Sequence, residues 1–233
     1  MRVAALVLAA GRGERLGHEL PKAFVPLAGR ALLLRALEAL AAVPELEWLV
    51  PVVAEGDLPR LRALAEELAA IPNLSGRLAA PVAGGALRQD SVRAGLAALP
   101  PGVELVAVHD AARPLVRPAA VAAVIAVARR EGAAILAVPV RDTIKRVRAG
   151  RVLETPERSE CWAAQTPQVF RTGLLREALE KAAADGFCGT DDAQLVERLG
   201  VAVRVVEGDP GNLKVTDPED LALAEGWLAR RPG

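Results

Sequence analysis

The sequence predicts an α/β protein built on a single doubly wound, mostly parallel sheet with a protruding β-hairpin arm. Short apolar runs alternate with amphipathic stretches along most of the chain, so the side-chain period switches repeatedly between strand and helix. The 233 residues are 52% hydrophobic, enough for a substantial core within one globular domain spanning 1–233. The alternation breaks once, at 141–155, where arginine-rich extended stretches flank a glycine turn.

The elements follow in order. Val3 to Leu8 is an unbroken apolar run and reads as a first buried strand, followed by a helix near 31–42. Trp48 to Ala54 gives the next strand, with a helix near 58–70 behind it. Residues 77–82 precede a helix near 90–99, and 104–109 precede one near 118–131 that leads into a strand at 133–138. This is βαβ grammar, whose crossovers imply parallel strands covered by helices.

After Pro139, residues 141–147 and 151–155 read as two extended arms around Arg148-Ala149-Gly150, with glycine supplying the turn. Their alternation is patchy, so a solvated surface loop and an arm that reaches a partner subunit both fit. The last section holds a helix near 191–199, a strand at 201–206, and a helix opened by the capping pattern Thr216-Asp217-Pro218-Glu219. The loop 208–215 therefore joins a strand end to a helix start, the edge at which open α/β sheets bind ligands.

Charge and composition exclude several functions. Lys+Arg and Asp+Glu are both 29, so there is no broad basic field for nucleic acid or an anionic membrane, and phosphate chemistry must use local clusters. The longest apolar stretch, Ala119 to Ala128, is far short of the roughly 20 residues of a spanning helix. Arg2 and the apolar run to Ala10 lead into Gly11-Arg12-Gly13 without a convincing cleavage region, so a strand is expected there instead of a signal peptide. Cys161 and Cys188 make no disulfide framework or metal-ligand spacing, which fits a cytoplasmic setting.

The first strand runs into Ala9-Ala10-Gly11-Arg12-Gly13-Glu14-Arg15-Leu16-Gly17, with Lys22 shortly after. Glycines let backbone N–H groups approach phosphate oxygens, and the cations Arg15 and Lys22 neutralise them. The glycine spacing is GxGxxxG, which is not a dinucleotide fingerprint, and no GKS or GKT follows as a P-loop requires. The strand ending at His109-Asp110 delivers a carboxylate to the same edge, ahead of Arg113. Asp110 is the candidate for Mg²⁺ or a substrate hydroxyl, although aspartate also caps turns. His109 serves as a general base or is simply packed. Gly84-Gly85-Ala86-Leu87-Arg88-Gln89-Asp90-Ser91 sits between a strand and a helix, where the glycines bring backbone against a flat base, while Asp90 or Ser91 alternatively caps the helix. Arg158, Gln165-Thr166-Pro167-Gln168, Thr190-Asp191-Asp192 and Asn212-Leu213-Lys214-Val215-Thr216 each offer a phosphate- or hydroxyl-binding group beside an expected turn or helix start.

Taken in order, AAGRGERLG, PK, GGALRQDSV, VHDAARP, RDTIKR, AAQTPQ, TDD and NLKVT resemble the motif series of the 2-C-methyl-D-erythritol 4-phosphate cytidylyltransferases, nearly end to end. The resemblance implies a Rossmann-like nucleotidyltransferase that uses Mg²⁺, CTP and a polyol phosphate. Ala9, Ala10, Gly11, Gly13, Gly85, Arg88 and Ser91 would frame the CTP. Arg15, Lys22, Arg158 and Lys214 are the expected catalytic cations. Asp110, Arg113, Thr143, Thr166 and Thr190 would bind the acceptor, with Asp110 also near the metal. It further implies a homodimer in which each hairpin arm completes the partner's site. Ala86 departs from the pattern, leaving backbone alone to read the cytosine edge there. A cytidylyltransferase acting on ribitol 5-phosphate is the rival enzyme, and a non-catalytic nucleotide-binding module is the rival of a different class.

Overall fold

The computed structural model describes residues 1–11, 13 and 16–230. Strand β1 (Arg2–Ala9) is followed by a small antiparallel pair, β2 (Pro26–Leu27) and β3 (Arg30–Ala31), and by helix α1 (Leu32–Ala41). Next come β4 (Leu46–Val53), α2 (Leu58–Ala63), α3 (Ala65–Ala69), β5 (Val82–Ala83), α4 (Arg88–Ala97) and β6 (Val103–Asp110). Helix α5 (Pro118–Glu131) and β7 (Ala133–Pro139) precede the arm, formed by β8 (Arg146–Arg148) and β9 (Arg151–Glu154). The chain closes with β10 (Trp162–Arg171), α6 (Thr172–Ala184), α7 (Asp192–Glu197), β11 (Arg204–Glu207) and α8 (Pro218–Ala229).

Seven strands form one sheet in the order β11-β7-β10-β6-β1-β4-β5. All neighbouring pairs are parallel except those of β10, which runs antiparallel to both β6 and β7. The expected doubly wound sheet is present. Because successive side chains on a strand point to opposite faces, β1 feeds two cores. Val3, Ala5 and Val7 join Leu33 and Leu37 of α1 and Val124 of α5. Leu6 joins Val92 and Leu96 of α4 with Leu175 and Leu179 of α6. Burial on both faces explains why this strand reads as a continuous apolar run.

Helix α4 comes unusually close to the sheet. A Cβ at Gly95 would lie 2.9 Å from a Leu6 methyl, so glycine near the end of α4 lets the helix pack closely on β1. The chain steps away from β1 in one direction through β4 and in the other through β6, which places the topological switch between β1 and β6.

Four expectations differ from the structure. Gln165 to Gln168 were expected beside a turn, but they lie inside the buried strand β10. Pro167 is accommodated because the β10–β7 register shifts between Ala164 and Gln168, where a proline omits no ladder bond. Residues 77–82 give a single Leu49–Leu78 bridge and the short β5 instead of a full strand. The helix near 58–70 is two pieces divided at Leu64. The arm pairs only over three and four residues, and all of 141–155 is exposed. No described helix is long and apolar enough to cross a membrane.

Candidate active site

Two clefts open at the C-terminal edge of the sheet, on either side of the switch point. The first, about 300 Å³, lies between the end of β1 and the start of α4. Its walls are mostly backbone and small side chains, Ala9, Ala10, Gly11 and Gly13 on one side and Gly85, Ala86 and Ser91 on the other, with the cations Arg88 and Lys22 also lining it. Gly13 has φ +66°, and any Cβ there would collide with the Lys22 side chain, so the loop and the lysine fit together only with glycine. Ser91 Oγ accepts from Gly85 N–H at 3.2 Å, and Asp90 accepts from Leu87 N–H at 3.2 Å. Neither Asp90 nor Ser91 is the N-cap of α4, because the helix starts earlier, at Arg88, with Leu87 as its N-cap; Asp90 sits three residues on and reaches back to the Leu87 N–H, while Ser91 shapes the glycine wall.

The second cleft, about 240 Å³, is walled by side chains: Arg113, Gln165, Thr166, Gln168, Thr190 and Asp191, with Ala164 between them. Arg88, Asp110 and Lys214 line both clefts. Asp110, at the last position of β6, is 2.7 Å from Lys214 Nζ and 3.4 Å from Arg88 Nη2. The loop bearing Lys214 is pinned from below. Gln165 of β10 donates to Asp209 C=O at 2.9 Å and accepts from Asn212 at 3.2 Å; Asn212 also donates to Thr166 C=O at 2.8 Å. Arg113 donates to Asn212 C=O at 2.7 Å, and Val215 N–H to Ala112 C=O at 2.8 Å.

Behind Asp110 runs a chain of hydrogen bonds that settles the role of His109. His109 Nε2 lies 3.1 Å from Arg113 C=O, which can only accept, so Nε2 carries the ring proton and donates. Nδ1 of the neutral ring then accepts from the Thr166 hydroxyl at 3.1 Å, and Thr166 Oγ1 accepts from Asp110 N–H at 3.0 Å. Both nitrogens are occupied and the ring is completely buried, so His109 is a packed anchor, not a base. Burial pushes its pKa down to about 4. Burial would raise the Asp110 carboxyl, but the charges of Arg88 and Lys214 outweigh it and hold the group well below the usual carboxylate range. Arg88 shows the converse: burial alone would lower it, yet Asp192 and Asp110 keep it firmly cationic. The site is thus a fixed anion bracketed by fixed cations.

Of the expected site residues, the described members of the glycine loop and of 85–91 meet at the first cleft, and Arg113, Thr166 and Thr190 at the second. Arg15 lies outside the described residues. Thr143 and Arg158 are not brought to either cleft of their own chain. Thr143 is on the exposed arm, and Arg158, in a 3₁₀ turn at 158–160, donates to Arg141 C=O at 3.3 Å. The sequence reading did not assign Gln165, Gln168 or Asp192 to individual roles. The available signal was a polar QTPQ within a long apolar strand, since buried polar groups require partners.

Among the described residues, no three carboxylate, imidazole or thiol groups gather as a metal cage. Asp110 is nevertheless a suitable partial donor, because Mg²⁺ commonly takes one or two carboxylates and completes its shell with water and substrate phosphates.

A profile of the family described as 2-C-methyl-D-erythritol 4-phosphate cytidylyltransferase matches residues 3–230. The protein of that name from Desulforamulus reducens is 44% identical, over 98% of this chain and 97% of its own. That from Symbiobacterium thermophilum is 46% identical, over 96% and 91% respectively. Among solved structures, the 4-diphosphocytidyl-2C-methyl-D-erythritol synthase of Anaerococcus prevotii superposes with a TM-score of 0.86 at 31% identity, covering 98% of this chain and 96% of that one. The 2-C-methyl-D-erythritol 4-phosphate cytidylyltransferase of Thermus thermophilus gives 0.78 at 38% identity, covering 99% and 100%.

Proposed function

The chain belongs to the 2-C-methyl-D-erythritol 4-phosphate cytidylyltransferase family, and from that premise we propose how its two clefts divide the reaction. The enzyme transfers the cytidylyl group of CTP to 2-C-methyl-D-erythritol 4-phosphate, a step of isoprenoid biosynthesis. CTP occupies the glycine-walled cleft, with its base against 85–91 and its triphosphate towards Lys22. The acceptor phosphate enters the polar cleft, facing Arg113, Thr166 and Thr190. One observation carries this division: Arg88, Asp110 and Lys214 line both spaces, so the two substrates have a single common wall.

An acceptor phosphate oxygen attacks the α-phosphorus of CTP. The bond from that phosphorus to the oxygen bridging to Pβ breaks, and pyrophosphate leaves. The nucleophile is already an anion, so no base is needed, in keeping with a His109 whose nitrogens are both engaged. What the protein supplies is alignment and charge neutralisation. Lys22 and Arg15 oppose charge building on the leaving pyrophosphate. Lys214 bridges between Asp110 and the reacting phosphates. Mg²⁺, held by Asp110 together with substrate phosphates, would neutralise further charge there.

Thr143, on the arm, and Arg158, just beyond it in the 158–160 turn, are part of the same proposal as contributions from a second copy. The arm exposes Ile144, Val147, Val152 and Leu153, side chains that favour a covered setting. Deleting 141–155 is expected to give a folded monomer by light scattering, with poor turnover in a pyrophosphate-release assay; an active dimer would refute the arm's part in the partner's site and make it a surface loop. A cytoplasmic setting belongs to the proposal too, and the two unpaired cysteines fit it. The substrate is tested by pyrophosphate release from CTP with each of several polyol phosphates. Methylerythritol phosphate is expected to be turned over best, and better turnover of ribitol 5-phosphate would refute it.

A further inference from the structure

Arg88 is the cation that both clefts share on the α4 side, and it is held from a different element. Its Nη1 lies 2.7 Å from Asp192 of α7, while Nη2 reaches Asp110. Asp192 is completely buried and lines neither cleft, so substrate does not explain it. Burying a carboxylate is costly unless a partner is held in good geometry.

The placement of Asp192 is itself enforced. Gln168 Oε1 accepts from the N–H groups of Asp192 and Ala193 at 3.1 and 3.0 Å, and its Nε2 donates to the Asp191 carboxylate at 2.8 Å. Gln168 thus satisfies two of the open donors at the start of α7 and ties that helix to β10. Next to Arg88, Gln89 donates to Phe187 C=O at 3.2 Å and accepts from Gly189 N–H at 3.4 Å. Two consecutive residues of α4 therefore brace it against the segment that enters α7.

We infer that Asp192 is a positioning residue for Arg88: seated by Gln168, it orients one guanidinium so that it serves the nucleotide cleft and the acceptor cleft together. It touches neither substrate. Without its charge Arg88 keeps only the longer contact to Asp110 and is free to swing out of the shared wall. The inference rests on the nucleotide occupying the first cleft.

The test is a double-mutant cycle of Asp192→Asn and Arg88→Ala, read by calorimetric CTP binding and by steady-state kinetics. Asparagine keeps the size of Asp192 and removes the charge. Asp192→Asn is expected to weaken CTP binding and lower kcat/KM for CTP by about tenfold, and to add nothing once Arg88 is alanine, as expected for residues acting as a unit. Unchanged CTP binding in Asp192→Asn, with only a lowered melting temperature, would overturn the inference. So would losses that multiply in the double variant. A wild type that binds CTP yet gives no turnover with methylerythritol phosphate would refute the acceptor assignment while the binding cycle still decides the role of Asp192.

Discussion

Arg88 at the sheet edge and Arg146 on the arm each sit beside a carboxylate at nearly the same distance, 2.7 Å from Asp192 and 2.6 Å from Glu154. Their surroundings are opposite. The side chains of the first pair are 29% and 1% exposed, those of the second 63% and 50%. Water and salt screen the arm pair, and both of its side chains give up rotamer freedom to meet, so such contacts are worth about 0–1 kcal/mol. At the edge the geometry is fixed by packed elements, and removing one partner leaves a desolvated charge behind. The difference teaches that the function of an arginine here follows from how firmly it is placed, since a reaction between two phosphates needs its positive charge at the right point more than it needs a large amount of it.

The largest effect should come from removing charge at the clefts. Lys22→Ala and Lys214→Ala are each expected to cost about 2.7–4 kcal/mol in transition-state stabilisation, roughly a hundred- to a thousandfold in turnover; Lys22→Ala should leave the melting temperature nearly unchanged, whereas Lys214→Ala should lower it because the buried Asp110 loses a partner. Arg15→Ala should match them. Coupled pyrophosphate assays read this directly, and wild-type turnover in any of the three would erase the contrast between edge and arm.

A smaller effect concerns the anchor behind the edge. The folded His109 has a pKa of about 4 against 6.5 for the free side chain. Above pH 6.5 the ring is neutral whether folded or not, so the full stability is present. As pH falls towards 4 the unfolded chain takes up a proton that the fold refuses, and about 3 kcal/mol is lost over that window. Asp110, held low, contributes in the same direction at still lower pH, because protonation cancels its pairing with Arg88 and Lys214. Urea unfolding followed from neutral pH down to about pH 4.5 should therefore show a steeper fall for the wild type than for His109→Gln. Parallel curves would mean that His109 is not held neutral by the fold.

The smallest effect is predicted on the arm. Arg146→Ala should change stability by less than about 1 kcal/mol, within the scatter of denaturant titrations. A larger loss would show that the arm pair is held as firmly as the edge pair.

How much of this was legible in the sequence also divides by region. The glycine-walled cleft could be read because it is local: two contiguous segments, 9–22 and 84–91, each carry their own glycines and cations. The strands flanking β1 were legible because burial on both faces leaves an apolar run. The polar cleft was not legible in the same way, because Gln165, Gln168 and Asp192 acquire their roles only when β10 is inserted antiparallel between β6 and β7. Proline and two glutamines resemble a turn until the register shift and the neighbouring loops that use them are known. His109 was left between base and packing for a like reason, since its two partners, Thr166 and the Arg113 carbonyl, come from different segments.

In the proposed mechanism CTP and the acceptor occupy separate clefts that share one charged wall. Arg113 lines the second cleft and not the first, so its substitution separates the two. Arg113→Met keeps the stem and removes the guanidinium, and saturation curves measured independently for each substrate report where the loss falls. KM for methylerythritol phosphate is expected to rise about tenfold or more, as loss of an arginine–phosphate contact requires, and KM for CTP to rise much less, through the Lys214 loop that Arg113 also holds. A rise in KM for CTP with the acceptor unaffected would contradict that division.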